Sequence, residues 1–124
     1  TIVQTASLSG AVIVTTPQEV ALIDARKAVA MFGKVNVEIL GIVENMSYFL
    51  CPSDGKRYDI FGTGGGKKEA ETLGVPLLGE IPIDIETRQA CDDGEPIAIR
   101  DEKDNATSKV FAEIAQKLIA RVDA

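Results

Sequence analysis

The segment AVIVTTPQEVALIDARKAVAMFG, residues 11–33, decides the fold class of this chain. Its first part, 11-AVIVTT-16, is short, rich in β-branched residues and apolar without alternation. Such a run is typical of a strand that is buried on both faces, as in a parallel sheet. Pro17 follows at once and suits the first turn of a helix, with Thr16 as the candidate N-cap. The segment therefore predicts a strand that passes directly into a helix.

The predicted helix runs from Pro17 to about Phe32, and Gly33 is a natural residue for its C-terminal end. One face would carry Val20, Ile23, Lys27 and Ala30, with Leu22, Val29 and Met31 close to it.

Strands and helices continue to alternate downstream. Further strands are predicted at 37-VEILGIVEN-45 and 77-LLGEIP-82, and helices at 66-GKKEAETLG-74, 84–92 and 104–122. In the last helix we expect an apolar stripe of Val110, Ile114, Leu118 and Ile119, with Thr107 and Ser108 helping to start it. This order predicts an α/β fold of three layers with a parallel sheet. Residues 1–10 look like the tail of a helix without a start signal, so we expect the chain to begin inside a domain.

The composition excludes several classes of function. The chain has 124 residues, 45% of them hydrophobic, which suits one small domain or part of a larger one. Its net charge of −6 argues against a nonspecific nucleic-acid surface, and the absence of His excludes His-based catalysis and His metal ligands. Two cysteines do not make a disulfide framework. No apolar run approaches the roughly 18–20 residues of a membrane span, and we expect a cytoplasmic protein.

Ligands of open parallel sheets bind beyond the carboxyl ends of the strands. That rule selects three places, around Thr15–Gln18, Glu44–Ser47 and Ile81–Asp84. Asn45 is the most specific candidate for a ligand-binding residue, because a side-chain amide can both donate to and accept from an adenine edge. The alternative is an Asn that satisfies the backbone of a turn.

The glycine run 62-GTGGGKK-68 does not match a phosphate-binding loop, which needs Gly, four residues and then Gly-Lys-Ser/Thr. Lys67 stands where the second glycine should be, and neither Ser nor Thr follows Lys68. The complete loop motif occurs nowhere in the sequence. The run is better interpreted as a flexible entry to a short helix.

A β-ribbon is predicted between the second strand and this glycine run. Its arms are 48-YFLC-51 and 57-RYDIF-61, with the turn at 52-PSDG-55. Two thiolates in a C-x-x-C motif at a ribbon tip often hold zinc or an iron–sulfur cluster, but here the pair is Cys51 and Asp54. Asp54 is also an ordinary turn residue, and Cys91 is interpreted as an incidental thiol.

Two strings together identify a resemblance. The string AVIVTTPQEVALIDARKAVAMFGKVNVEILGIVENMSYFLCP, residues 11–52, resembles the Mrp-type proteins of the MinD/ParA-like P-loop ATPases, and so does IFGTGGGKKEAETLGVPLLGEIPID, residues 60–84. The resemblance implies a P-loop NTPase-like fold, with residues 1–124 as the C-terminal half of the domain and a β-ribbon insertion near 48–61. It also implies a cytosolic homodimer that binds ATP, with Mg²⁺ in the intact protein, and carries iron–sulfur clusters to apo iron–sulfur proteins. The Walker A and Walker B elements of the family would lie upstream, so this chain alone should not hydrolyse ATP.

The resemblance assigns roles to residues around the nucleotide. Asn45 matches the adenine-contacting Asn, and Pro82 with Asp84 matches the loop that lines the adenine pocket. Gln18 and Asp24 match positions that face the partner subunit near the nucleotide.

The resemblance also makes Cys51 the first cysteine of a CPxC motif that holds a bridging [4Fe–4S] cluster between two subunits. Asp54 stands where the second cysteine belongs. A dimer would then offer two thiolates and two carboxylates, and a carboxylate is a harder and weaker partner for a soft cluster. Cluster binding is therefore in question, although the family assignment is not.

Three functions remain open at this point. The first is an ATP-binding iron–sulfur carrier. The second is a MinD/ParA-like partitioning or regulatory ATPase without a cluster. The third is a nonenzymatic interaction module, which is disfavoured because a parallel sheet without its other strands would expose apolar edges.

Overall fold

Strands and helices alternate along residues 7–122, the part of the chain that this computed structural model describes. The elements are β1 Ala11–Thr15, α1 Glu19–Lys34, β2 Ile39–Glu44, β3 Phe49–Leu50, β4 Arg57–Tyr58, α2 Gly65–Leu73, β5 Leu77–Glu80, α3 Ile85–Asp92, a 3₁₀ turn Ile97–Ile99 and α4 Ala106–Val122. The predicted helix tail at residues 1–10 lies mostly outside the described residues, and residues 7–10 are not helical.

The main sheet consists of β1, β2 and β5, with β2 in the centre and both pairings parallel. All three strands end at the same edge, where Thr15, Glu44 and Glu80 lie side by side in the register. The predicted parallel α/β fold is confirmed. On its other side, β1 pairs with no strand of the described chain.

The two faces of the sheet have separate hydrophobic cores, because neighbouring residues of a strand point to opposite faces. On one face Ile42 packs with Ala25 of α1 and Ala70 of α2. On the other face Val43 packs with Leu78 and with Ile114 of α4. Helices therefore cover both faces, as the three-layer prediction requires.

The details of α1 differ from the prediction. The helix begins after Gln18, so Thr16 is not its N-cap, and it continues through Gly33 to Lys34. Asn36 then takes the left-handed conformation that ends the turn. The buried face carries Leu22 and Ala25, whereas Val20 is 68% exposed. The prediction chose the wrong stripe because α1 has apolar residues on both sides.

The other predicted elements differ mainly at their ends. The second strand begins at Ile39, and β5 ends at Glu80. Gly74 caps α2 in the left-handed conformation, as expected. Helix α4 starts two residues later than predicted. The Asn105 side chain accepts from the Ser108 N–H at 2.9 Å, so Asn105 performs the capping assigned to Thr107 and Ser108. In the α4 stripe, Ile119 is exposed rather than packed.

The β-ribbon is present but shorter than predicted. Phe49 pairs with Tyr58 and Leu50 with Arg57 in antiparallel register. Phe49 also forms a parallel bridge to Ile83, which fastens the base of the ribbon beside the end of β5. Across residues 7–122, no helix has both the length and the apolar character that crossing a membrane requires.

Candidate functional site

A cleft of about 650 Å³ opens where β2 and β5 end, on the α4 side of the sheet. Asn45, Pro82 and Asp84, which the sequence placed near one ligand, all line it. Its remaining wall is largely apolar and includes Val14, Val43, Ile81, Ile83, Phe111 and Ile114. An apolar cleft with a few polar groups is the usual form of a small-molecule site. Its lining suits an aromatic ring with a polar edge.

Asn45 is the amide group of this cleft. Its backbone N–H donates to the Thr15 carbonyl at 2.6 Å, which fixes the residue between the ends of β1 and β2. Its Oδ1 accepts from the Met46 N–H at 2.9 Å, and Met46 adopts a positive φ of 50°. Asn45 therefore satisfies a backbone group of the turn, as the alternative hypothesis states, but with only one lone pair of its oxygen. The NH₂ group and the second lone pair of Oδ1 suit an adenine edge.

Asp84 lies at the cleft wall, but hydrogen bonds within the protein engage its carboxylate. Oδ1 caps α3 by accepting from the Glu86 N–H at 3.2 Å. Oδ2 accepts from the Thr87 hydroxyl at 2.7 Å and from the Thr107 hydroxyl at 3.0 Å. Burial alone would raise the pKa of Asp84, but these hydrogen bonds outweigh it and hold the pKa below its ordinary 3.8. Asp84 therefore joins α3 to α4 and shapes the cleft.

Asp24 and Asn45 share a second cleft, of about 570 Å³, which runs along the open side of β1. Its floor is formed by Val12, Ile13, Val14 and Thr15 of β1, with Ala25, Ala28 and Phe32 of α1. Gln18 is not part of this lining. Its Oε1 accepts from the Thr16 hydroxyl at 3.3 Å at the start of α1. The structure thus brings Asp24 close to the nucleotide candidate Asn45, and leaves Gln18 exposed at the helix end.

The glycine run has a structural role that the sequence did not reveal. Glu44, 1% exposed, extends its carboxylate to the N-terminus of α2, where Oε1 accepts from the Gly66 N–H at 3.0 Å. A helix N-terminus favours an anion, and here the protein supplies the anion itself. A Cβ on Gly66 would lie 3.1–3.3 Å from the Glu44 side chain. Glycine permits this close approach, so the run serves packing rather than phosphate binding.

Ser47 continues the same buried polar cluster. Its hydroxyl lies 2.6 Å from Glu44 Oε2 and 2.9 Å from Glu80 Oε2, and it can donate its single proton to one of these carboxylates at a time. Ser47 is 1% exposed. The cluster joins the ends of β2 and β5 directly behind Asn45. Only Glu44, a charge ending an apolar run, hinted at it in the sequence.

The ribbon tip carries Cys51, whose thiol lies 3.0 Å from the Ser53 hydroxyl. Asp54 Oδ1 accepts from the Lys56 N–H at 2.9 Å, and Oδ2 accepts from the Tyr58 hydroxyl at 2.7 Å. The Lys56 N–H and then the Tyr58 hydroxyl lower the pKa of Asp54, while the same Asp54 bond raises the pKa of Tyr58. Asp54 therefore stabilises the turn with both oxygens.

A metal ion would need more ligands than one ribbon tip supplies. Among the described residues, no cluster of three or more His, Cys, Asp or Glu side chains could hold one. Cys91, interpreted as incidental, lines the cleft of Asn45 instead.

Comparison with known proteins agrees with this architecture. A family model described as the ParA-type NUBPL iron-transfer P-loop NTPase matches residues 1–119. The chain is 52% identical over 122 residues to an iron-sulfur cluster carrier protein of Pyrococcus abyssi, covering 98% of this chain and 41% of that relative. It thus spans about two fifths of the length of that relative.

Solved structures show the same fold. A nucleotide-binding protein from Archaeoglobus fulgidus in complex with ADP is 41% identical, with a TM-score of 0.67 over 75% of this chain and 38% of that one. The septum site-determining protein MinD of Pyrococcus horikoshii, complexed with Mg-ADP, is 22% identical, with a TM-score of 0.70 over 94% of this chain and 44% of that one. The latter likeness concerns the fold alone.

The parallel sheet, its two helical layers and these likenesses define a MinD-like P-loop NTPase fold. The chain belongs to the family of NUBPL iron-transfer P-loop NTPases. The resemblance seen in the sequence is thereby confirmed.

Proposed function

We propose that this chain supplies the base-binding and cargo-binding half of an ATP-dependent iron–sulfur cluster carrier. The supporting observation is the position of Asn45. It lies in an apolar cleft at the carboxyl end of the sheet, six residues before Cys51 of the ribbon. The Archaeoglobus relative with bound ADP and the carrier relatives support the same reading. Adenine would stack against the apolar wall beside Pro82, with the Asn45 amide at its polar edge.

The chain would act as the C-terminal half of a P-loop NTPase domain. The open side of β1 supports this, because Val14 is 63% exposed on a strand whose other residues are buried or half-buried. A strand paired along this side would cover the cleft lined by Asp24 and Asn45. The other half would bring the groups that bind the phosphates and Mg²⁺. Asp24, and Gln18 at the helix start, would then face the partner subunit of a homodimer.

The cluster would be cargo held between two copies through Cys51. The thiol is at the ribbon tip, where two ribbons can meet, and thiolate is the ligand that iron–sulfur clusters prefer. Each copy contributes one thiolate, since Asp54 is engaged by Lys56 and Tyr58. Two thiolates hold a [4Fe–4S] cluster less tightly than four, which suits transfer to apo iron–sulfur proteins. We place this activity in the cytoplasm.

Anaerobic reconstitution of the intact protein tests the proposal. We expect iron and sulfide to bind in proportion to the dimer, with a cluster absorption band that Cys51→Ser removes. Cys91→Ser is the matched control, because that thiol is also free but lies away from the ribbon tip, and it should retain the band. Iron binding that survives Cys51→Ser would contradict the cargo assignment.

The base site has its own test. Asn45→Ala should raise the Kd for ATP by roughly tenfold, the loss of one or two hydrogen bonds in a desolvated cleft. Gln116→Ala, a substitution on the exposed side of α4, should leave the Kd unchanged. An unchanged Kd for Asn45→Ala would argue against adenine in this cleft.

The second candidate is a MinD/ParA-like partitioning or regulatory ATPase without a cluster. The saturated hydrogen bonding of Asp54 favours it, since a turn built this way needs no metal to hold its shape. It predicts ATP-dependent dimerisation of the intact protein under anaerobic conditions without uptake of iron. Sedimentation and iron analysis of the same sample separate the two functions.

A further inference from the structure

We infer that Ser47 is a positioning residue that couples the base cleft to the ribbon, so that nucleotide binding changes the accessibility of the Cys51 thiol. The inference rests on the proposed function for the identity of the nucleotide. It concerns Ser47, which is neither a residue to which the family resemblance gives a role nor part of the cleft lining. Ser47 lies between Asn45 and Cys51 along the chain and is buried.

The segment from Asn45 to Phe49 is held like an additional strand beside the end of β5. The Ser47 N–H donates to the Ile81 carbonyl at 2.9 Å, and the Ile83 N–H donates to the Tyr48 carbonyl at 2.7 Å. Phe49 then bridges to Ile83. This continuous pairing makes the segment stiff, so a displacement at Asn45 reaches the first residue of the ribbon.

The Ser47 side chain fixes the position of that segment. Its hydroxyl, 2.6 Å from Glu44 and 2.9 Å from Glu80, joins the carboxyl ends of β2 and β5. The other Glu44 oxygen holds the N-terminus of α2 through Gly66. Ser47 is therefore tied to two strands and, through Glu44, to a helix. Without the hydroxyl, both carboxylates lose their shared partner and the segment loses its side-chain anchor.

The ribbon is attached to the same segment from the other side. The Arg57 guanidinium of β4 lies 4.2 Å from the centre of the Tyr48 ring, the residue next to Ser47. Glu80 adds an attraction that helps raise the pKa of Arg57, after the larger effect of its hydrogen bond to Asp59. The β4 strand of the ribbon thus lies against Tyr48, the residue next to Ser47, and Arg57 is attracted by the charge of Glu80. Both strands of the ribbon are therefore attached to the segment that begins at the base cleft, β3 through Phe49 and β4 through Arg57.

The test measures the rate at which iodoacetamide labels Cys51 in the intact protein, read from the mass of the peptide that contains it. The labelling rate is measured with and without a nonhydrolysable ATP analogue. Binding of the analogue is measured separately by calorimetry. We expect the analogue to change the parent's Cys51 rate by on the order of fivefold, the low end of ordinary coupling between two sites.

Ser47→Ala should bind the analogue and show the same Cys51 rate with and without it. Ser108→Ala is the matched control, because Ser108 is equally buried and its hydroxyl is also hydrogen-bonded, but to Arg100 in the α4 region. It should keep the parent's response. Ser47→Thr retains the hydroxyl, so its Cys51 labelling rate should also change when the analogue binds. This variant tests the inference if Ser47→Ala does not fold.

The outcomes separate the inference from the proposed function. If the parent does not bind the analogue, the proposed function fails and the inference fails with it. If the parent binds it without a change in the Cys51 rate, the inference alone is overturned. It is equally overturned if Ser47→Ala keeps the response, if Ser108→Ala loses it too, or if folded Ser47→Thr loses it.

Discussion

Replacing Asp84 by Ala should destabilise the protein, because this carboxylate joins α3 to α4 beneath the cleft. Three donors depend on it: the Glu86 N–H, the Thr87 hydroxyl and the Thr107 hydroxyl. Each loses its partner in Asp84→Ala, and the two helices then lose their polar link.

The magnitude follows from the burial of each donor. Loss of the N-cap at Glu86 costs about 1 kcal/mol. Thr107 is only 2% exposed, so leaving its hydroxyl without a partner costs about 1.5 kcal/mol. Thr87 is half-buried and regains water, so its loss costs about 0.5 kcal/mol. The total is about 3 kcal/mol, or a decrease in Tm of roughly 6–12 °C for a protein of a few hundred residues.

Thermal unfolding of the intact protein, followed by circular dichroism, measures this change. Asp92→Ala is the control, because Asp92 pairs with Arg88 on the exposed surface of the same helix and should cost less than about 0.5 kcal/mol. A change below about 1 kcal/mol for Asp84→Ala would refute the assigned role.

The same carboxylate predicts a pH dependence. Its pKa in the folded protein lies below 3.8, so its contribution to stability is present above about pH 4 and is lost as the pH falls through the folded value. The difference in the free energy of unfolding between parent and Asp84→Ala should shrink in that acidic range. A constant difference down to the lowest pH at which the parent folds would contradict the assignment of the charged form.

Three further predictions concern other parts of the molecule. Gly79→Ala should lower the free energy of unfolding in urea by about 1–3 kcal/mol, because the new Cβ would lie 2.6 Å from Ile114 Cγ1. In Gly33→Ala the new Cβ meets no atom within 4 Å, so this control should stabilise α1 by about 0.5–1 kcal/mol. Equal effects of the two substitutions would argue against the packing at β5. Asp54→Asn should lower the pKa of Tyr58 towards its ordinary 10.0, and an unchanged absorbance titration at 295 nm would count against that hydrogen bond. Asp54→Cys should increase cluster retention in reconstituted protein during a chelator challenge, and retention equal to the parent's would show that the tip does not reach the cluster.

The sequence predicted the strands whose apolar runs lack a polar face. The runs of β1 and β2 are typical of strands covered on both sides, although Val14 of β1 is exposed, and Gly74 marked a helix end that the geometry confirms. It failed on α1, where Val20 and Leu22 are equally hydrophobic and only the position of the sheet decides which is buried.

The candidate site was predicted in part for a similar reason. The rule that ligands bind beyond the carboxyl ends of parallel strands selected the places of Asn45, Pro82 and Asp84, and the family resemblance assigned all three to one pocket. The hydrogen bonds of Asp84 with Thr107 and of Glu44 with Gly66 were not predicted, since these partners are more than twenty residues away along the chain. Such long-range hydrogen bonds leave no local pattern. The role of the glycine run became clear only when Glu44 was seen at its helix.

The ribbon has a consequence for substitutions at its tip. Its strands pair with each other and meet the main sheet at the Phe49–Ile83 bridge, while its tip lies outside both hydrophobic cores. A substitution at the tip therefore leaves both cores intact, and the cost of changing Asp54 is confined to its hydrogen bonds with Lys56 and Tyr58. Under the proposed function, a change of cargo ligand at the tip would leave the packing around the base cleft untouched.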